Sequence, residues 1–167
     1  TLRTQLQESP FLGPDPYLRH ENQLLNFYLG LKGQIQNQLN YSSQISFESL
    51  KNQAFFLNNL EDQEKLFLVY DSSKTRRFTW ASEVAYDLSK DTKAGIRFSL
   101  LSYGVKSVKQ PWHLPHSIVT LFGRQYLSEN LMLSAEFYYM GGIKAMNSET
   151  FETETLKPLA DLNLKGE

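Results

Sequence analysis

The sequence contains no cysteine, so it has no disulfide framework and no thiolate that could ligate a metal or act as a nucleophile. It has no run of about 20 apolar residues, which a membrane-spanning helix needs, and its mean hydropathy is −0.42. Its net charge is −1 and its lysines and arginines do not cluster, so the electrostatic footprint of a nucleic-acid-binding protein is missing. These absences exclude a disulfide scaffold, a helical membrane protein and a nucleic-acid partner.

Aromatic residues are abundant, at 13% of the chain, and they fall in segments where apolar and polar residues alternate. Alternation with a period of two indicates a β-strand with two different faces. In segment 117–126 both faces are apolar, and the register there stays ambiguous. We predict an all-β fold, an antiparallel up-and-down meander that forms part of a transmembrane β-barrel. The predicted strands are 25–33, 39–48, 77–88, 93–103, 117–126, 130–141 and 159–166.

The connections between these segments alternate between short and long, which is typical of outer-membrane barrels with short periplasmic turns and longer outer loops. The long connections are 49–76, 104–116 and 142–158. The first contains apolar stretches at 54–57 and 66–70, which could form a small hairpin above the membrane or a further pair of strands. Predicted strands of about nine to twelve residues also suit a tilted membrane crossing.

We divide the chain into an irregular lead-in, 1–23, and an antiparallel barrel segment, 24–167, of about seven to eight strands. The lead-in contains Pro10, Pro14 and Pro16, and proline removes a hydrogen-bond donor from a β-ladder. The segment 1–10 lacks the apolar core of a signal peptide, and the last strand stops without a turn. We therefore interpret the chain as a fragment of a larger barrel.

The alternation assigns side chains to two faces, but the pattern alone does not tell inside from outside. In the barrel interpretation the charged side chains face the lumen and the rings face lipid. Tyr86, Tyr103, Tyr126 and Tyr139 lie near strand ends, where they would form aromatic girdles. The predicted lumen-facing residues are Lys32, Glu48, Arg77, Glu83, Asp87, Arg97 and Glu136. The predicted lipid-facing residues are Phe27, Tyr41, Phe47, Trp80, Tyr86, Phe98 and Phe137.

No catalytic or cofactor-binding motif stands out. His113 and His116 have a spacing that would suit a metal on a helix, but Pro111 and Pro115 argue against helix. In an extended segment the two imidazoles would point to opposite faces. We therefore predict a non-catalytic protein without a cofactor or a metal site, whose partners are outer-membrane lipid and the remaining barrel strands or other envelope proteins.

Several short stretches carry a family resemblance: NFYLGLKG at 26–33, Pro-Trp-His at 111–113, FYYMGG at 137–142 and ADLNLKG at 160–166. Together they resemble the outer-membrane β-barrels of the TonB-dependent-receptor-like type. The resemblance implies a large barrel in the bacterial outer membrane with a transport, receptor or envelope-complex role. Neither a plug domain nor an energy-coupling segment is visible in the sequence, so the substrate and the coupling to energy stay unsupported.

Two other interpretations remain open. A soluble lipocalin-like barrel that binds a small apolar ligand would fit the chain length, and the apolar stripe would then be its core. Bulky rings would crowd its cavity, however, and no Gly-x-Trp opening is present. An enzyme housed in a small outer-membrane barrel is the third interpretation, but it needs a convergent catalytic set that the sequence does not display.

Overall fold

The computed structural model describes residues 19–58, 66–147 and 149–166, and these form β-structure without helices. Most of the predicted lead-in, 1–18, lies outside the described residues, as do 59–65 within the first long connection. The strands are β1 (Asn22–Ile35), β2 (Leu39–Asn58), β3 (Leu66–Asp87), β4 (Thr92–Gly104), β5 (Ser117–Ser128), β6 (Leu131–Gly141), β7 (Lys144–Met146), β8 (Thr153–Thr155) and β9 (Leu159–Gly166).

Seven of the strands form one antiparallel sheet in the order β1-β2-β3-β4-β5-β6-β9, and β7 and β8 form a separate small hairpin. Each long strand therefore pairs with its neighbour in sequence, which confirms the predicted all-β antiparallel meander. Within the described residues the sheet is not closed, because β1 and β9 are its two edges. The open sheet is consistent with part of a barrel.

The strand register defines two faces. The first consists of odd residues in β1 (25–35), β2 (39–47), β5 (117–125) and β6 (133–141), with even residues in β3 (78–86), β4 (94–102) and β9 (160–166). We call this the apolar face, and the alternate residues of the same strands the charged face. One row across the apolar face is Gly33–Tyr41–Val84–Ile96–Leu121–Phe137–Leu162.

Short turns join the strands at one end of the sheet, and long connections lie at the other. Gln36 and Asn37 both have positive φ angles, and the Gln38 amide donates to the Ile35 carbonyl over 3.1 Å. This is the geometry of a tight hairpin turn whose twist matches that of the flanking strands. The short turns 88–91 and 129–130 lie at the same end, and β4 and β6 are each followed by a long connection as predicted.

The prediction of a long loop at 49–76 is wrong for most of that range, because β2 continues to Asn58 and β3 begins at Leu66. The reason is an irregularity in register between Lys51 and Gln53, where Asn52 has a φ of 59°. An extra residue at a β-bulge breaks the alternation although pairing resumes beyond it. The apolar stretches 54–57 and 66–70 thus continue two existing strands. The hairpin β7–β8 inside the predicted loop 142–158 was not predicted.

Most of the fully buried side chains lie outside the apolar face, further along the strands toward the long connections. Leu50 and Phe55 of β2 are each 1% exposed, and Trp112 and Ala145 come from the following long connections. The far halves of β2 and β3, the segment 105–116 and the hairpin β7–β8 thus share a small core. We call this region the extension.

Gly95 marks a close approach between strands on the charged face. A Cβ atom added there would lie 2.6 Å from the Val84 carbonyl oxygen and closer still to the Phe122 ring. We expect Gly95→Ala to lower the free energy of unfolding by about 1–3 kcal/mol, because overpacking forces the backbone or the ring to move. Denaturant titration would measure the change.

The matched control is Gly123→Ala. A Cβ at Gly123 would meet only the Lys93 carbonyl, at an ordinary contact distance of 3.8 Å. Equal losses of stability in the two variants would contradict the close approach at Gly95.

Candidate functional site

The apolar face carries no charged residue on any described strand between the row of Phe27, Phe47 and Phe78 and the short turns. Its large side chains are nevertheless exposed: Phe27 is 61% exposed, Trp80 40% and Leu162 60%. Soluble monomers rarely expose a contiguous apolar patch of more than a few hundred Å². A face that spans seven strands in this way needs an apolar environment or a covering partner.

Three polar groups near the middle of the apolar face bond to one another. The Ser43 and Ser82 hydroxyls lie opposite each other and share a hydrogen bond of 2.7 Å. The Trp80 indole N–H donates to the Ser43 oxygen over 2.9 Å, and its ring meets Phe98 edge-on at a centroid distance of 5.1 Å. Polar groups that already have hydrogen-bond partners within the protein lose little free energy when they leave water. These serines therefore do not require solvent on this face.

Arg97 links two strands on the charged face. Its guanidinium lies 3.4 Å from a carboxylate oxygen of Glu83 on β3 and 3.4 Å from one of Glu136 on β6. It also lies over the Phe122 ring on β5, 4.5 Å from the centroid. Arg97 thereby bridges acidic residues on strands that are not neighbours, across the full width of β4 and β5.

Further ion pairs lie on the same face at each end of the strands. The Arg77 Nε donates to Glu48 over 2.5 Å, and Glu48 also accepts from the Gln23 amide. Lys93 lies 3.7 Å from Asp87. Charges of both signs therefore cover this face and pair with one another across strands.

The charged face also contains the more polar hollows. One of about 550 Å³ is lined by Lys32, Ser42, Gln44, Glu83 and Arg97, with backbone between them. A second, of about 310 Å³, lies around Arg97, Phe122, Arg124 and Glu136. A hollow of about 570 Å³ on the apolar face is lined almost wholly by apolar surface, around Ala94, Gly123 and Ala135.

The strength of the Arg97 network gives a testable expectation. Arg97 is about half exposed, so water screens its ion pairs, and we expect Arg97→Gln to lower the free energy of unfolding by no more than about 1 kcal/mol. The control is Arg124→Gln on the next strand, an arginine without an ion pair in the described part of the chain, which should change it by less. A loss of several kcal/mol for Arg97→Gln would mean that water does not reach this network.

Every predicted lumen-facing residue lies on the charged face, and every predicted lipid-facing residue lies on the apolar face. What each face meets stays a prediction. The girdle prediction is partly wrong. Tyr86 and Tyr139 lie on the apolar face, but Tyr103 pairs with Arg77 and Tyr126 follows Arg124 by two residues, so both lie on the charged face. Proximity to a strand end does not determine the face, since one residue of register reverses it.

Asp71 organises the extension, a role that was not predicted from the sequence. Its carboxylate is fully buried and accepts hydrogen bonds from the amides of Ser73 (3.2 Å), Lys106 (3.1 Å) and Ser107 (3.1 Å). It also accepts from the hydroxyls of Ser73, Thr75 and Ser107. Burial by itself raises the pKa of Asp71, but these donors outweigh it and hold the pKa below its usual range. An Asp-Ser-Ser run was the available sequence signal, because such residues favour local side-chain-to-backbone bonds.

His113 and His116 have separate surroundings. His113 has a φ of 59° and its amide donates to the Lys144 carbonyl, and burial lowers the pKa of its imidazole. His116 meets the Tyr103 ring edge-on at 6.2 Å. Within residues 19–58, 66–147 and 149–166, no group of three or more potential metal ligands comes together. Over the same ranges, no helix has the length and apolarity needed to cross a membrane.

The fold and the two faces define an open antiparallel meander that is amphipathic across its whole width. No protein-family model matches the chain, and no curated protein matches it. The resemblance to outer-membrane barrels of the TonB-dependent-receptor-like type thus stays a prediction.

Proposed function

We propose that this chain forms part of a β-barrel in the bacterial outer membrane, with its apolar face against lipid and its charged face toward the lumen. The observation that carries the proposal is the apolar face itself, which is exposed and free of charge on every described strand. A lumen lined by paired charges would suit a transport, receptor or envelope-complex role without catalysis. The partners in this proposal are outer-membrane lipid, further barrel strands and other envelope proteins.

The height of the apolar face agrees with a membrane crossing. Along β3, Arg76 and Tyr86 are ten residues apart, which corresponds to about 34 Å of strand. A strand tilt of about 35–45° projects this length to about 24–28 Å along the membrane normal, close to the apolar band of about 25 Å in outer-membrane barrels. The charge-free part of the sheet therefore has the dimension of a hydrocarbon core.

The two open edges support the same proposal. β1 and β9 each present a row of backbone groups without a strand partner in the described residues. In hydrocarbon an unpaired backbone polar group costs several kcal/mol, so membrane β-structure occurs as closed barrels. The proposal therefore requires further strands, from elsewhere in this protein or from a partner, that pair with both edges.

The soluble lipocalin-like barrel is the second candidate, and the exposure of the rings argues against it. In such a carrier Phe27, Phe47 and Phe137 would converge on an interior, whereas in the described sheet they are 61%, 37% and 39% exposed. The two candidates predict different behaviour on extraction. The product of the full-length gene should sediment with membranes and need detergent for release. Recovery in the aqueous fraction without detergent would falsify the membrane proposal.

A further inference from the structure

Three exposed cations lie just beyond the apolar face, on the same side of the sheet. Lys51 pairs directly with Lys74 across β2 and β3, and Arg76 pairs with Ser49 one row nearer the apolar face. Alternation along the two strands places them on the side of Phe47 and Phe78. We call Lys51, Lys74 and Arg76 the cationic row.

Among the described residues, none supplies a counter-charge to the cationic row. Two like charges directly opposite each other in a sheet destabilise it, yet Lys51 and Lys74 occupy such a pair. In the part of the chain that the structure describes, none of the three side chains has an ion pair or a hydrogen bond. The residues opposite the row on the outer strands are Asn22 and Gly104, which carry no charge. A charge cluster left uncompensated in this way favours an anion supplied from outside the sheet.

The position of the row specifies the kind of anion. The row borders the aromatic end of the apolar face, so on the proposed function it lies where acyl chains meet headgroups. Lysine and arginine at this level extend their alkyl stems along apolar surface and their charges toward headgroups. The opposite border of the apolar face, formed by Tyr86, Ala94 and Gly123, has no cation on that side. Among the described strands, the cations on the apolar side therefore lie only at the border near the long connections.

We infer that the cationic row binds the phosphate-bearing headgroup of a membrane lipid in the leaflet nearest the long connections. The inference rests on the proposed function, because a soluble protein would present the same row to water. Anionic lipid is attracted by each lysine or arginine near the membrane surface. Binding would relieve the repulsion between Lys51 and Lys74, so the lipid would also hold the β2–β3 hairpin in register.

The test uses the product of the full-length gene in detergent micelles that contain equal amounts of phosphatidic acid and phosphatidylcholine. Native mass spectrometry then measures the ratio of the two lipids retained on the folded protein. We expect the wild type to retain phosphatidic acid preferentially. The variant with Lys51→Gln, Lys74→Gln and Arg76→Gln should lose that preference by about tenfold or more.

The matched control removes the same charge from three exposed lysines outside the row, with Lys90→Gln, Lys109→Gln and Lys157→Gln, and should keep the preference. Equal retention of both lipids by the wild type, or an equal loss in the control, would overturn the inference. If the triple variant does not fold, Lys74→Gln and Arg76→Gln alone should each reduce the preference several-fold, and no reduction in either would overturn it.

The proposed function has a separate readout. A protein released from cells without detergent contradicts the membrane proposal itself. A protein that needs detergent but does not prefer phosphatidic acid contradicts only the inference about the cationic row.

Discussion

Replacing Phe98 with arginine should lower the stability of the membrane-embedded protein by about 2–4 kcal/mol, the cost of a cationic side chain on the lipid face near the bilayer midplane. Phe98 pairs with Ser82, which is six residues from Arg76 and four from Tyr86 along β3, so it lies near the middle of the charge-free band. The substitution also removes the ring contact with Trp80. Urea titration of the protein refolded into lipid vesicles would measure the loss.

The matched control is Ser99→Arg, the next residue on the same strand. Ser99 lies on the charged face and lines the polar hollow of about 550 Å³, where an added guanidinium would meet water and the nearby Glu83. We expect a change of less than about 1 kcal/mol. A similar loss in both variants would contradict a difference in environment between the two faces.

Asp71→Asn should destabilise the extension by about 2–4 kcal/mol while leaving the seven-stranded sheet intact. The carboxylate accepts from donors on both of its oxygens, and an asparagine would place an NH₂ group against one set of those donors. Buried donors left without an acceptor cost about 1–3 kcal/mol each.

The expected signature is local. Amide hydrogen exchange at Lys106 and Ser107 should become much faster, because elements that open independently lose protection independently. Exchange in β4 and β5 should not change. The control Asp91→Asn changes a turn carboxylate that makes no hydrogen bond or ion pair in the described part of the chain. It should leave the exchange rates of Lys106 and Ser107 nearly unchanged. Unchanged protection of Lys106 and Ser107 in Asp71→Asn would show that the carboxylate does not hold this segment.

The same carboxylate should make the stability of the extension depend on pH. The folded pKa of Asp71 lies below its ordinary value of about 3.9, so the contribution of Asp71 to stability is fully present above that value. It is lost as the pH falls toward the folded pKa. Protection of Lys106 and Ser107, corrected for intrinsic exchange, should therefore stay constant from neutral pH to about pH 4 and decline below it. Asp71→Asn should remove this decline, and a decline that starts near pH 6 would point to another group.

The sequence predicted the sheet well wherever alternation was unbroken. In segment 39–48 apolar and polar residues alternate except at Ser43, and the register places Tyr41, Ile45 and Phe47 on one face as expected. The two faces of β5 were ambiguous because Ile118 and Phe122 are apolar residues on the charged face. The register of β5 is set by its pairing with β4, which puts Phe122 opposite Gly95. The composition of the segment does not determine this register.

The extension and the cationic row could not be predicted from the sequence, for physical reasons. Between Lys51 and Gln53 the single residue Asn52 of β2 faces two residues of β3, so the register shifts there and the regular alternation ends near residue 50 although both strands continue. Lys51 and Lys74 are 23 positions apart in the sequence, and only the pairing of β2 with β3, which is unbroken from Leu39–Tyr86 as far as this pair, brings them opposite each other. The hydrogen bonds of the Asp71 carboxylate likewise join β3 to residues 106–107 of a distant connection. Long-range pairings of this kind depend on the assembled sheet.

The most direct test of the account uses the absence of cysteine, since a single introduced cysteine can be labelled without removing any native one. Spin labels placed one at a time at residues 96–101 of β4 would be compared, in vesicles, for collision with oxygen dissolved in lipid and with a water-soluble nickel chelate. The account predicts an alternation of period two, with oxygen favoured at Ile96, Phe98 and Leu100 and the chelate at Arg97, Ser99 and Leu101. High chelate access at Ile96, Phe98 and Leu100 would contradict it.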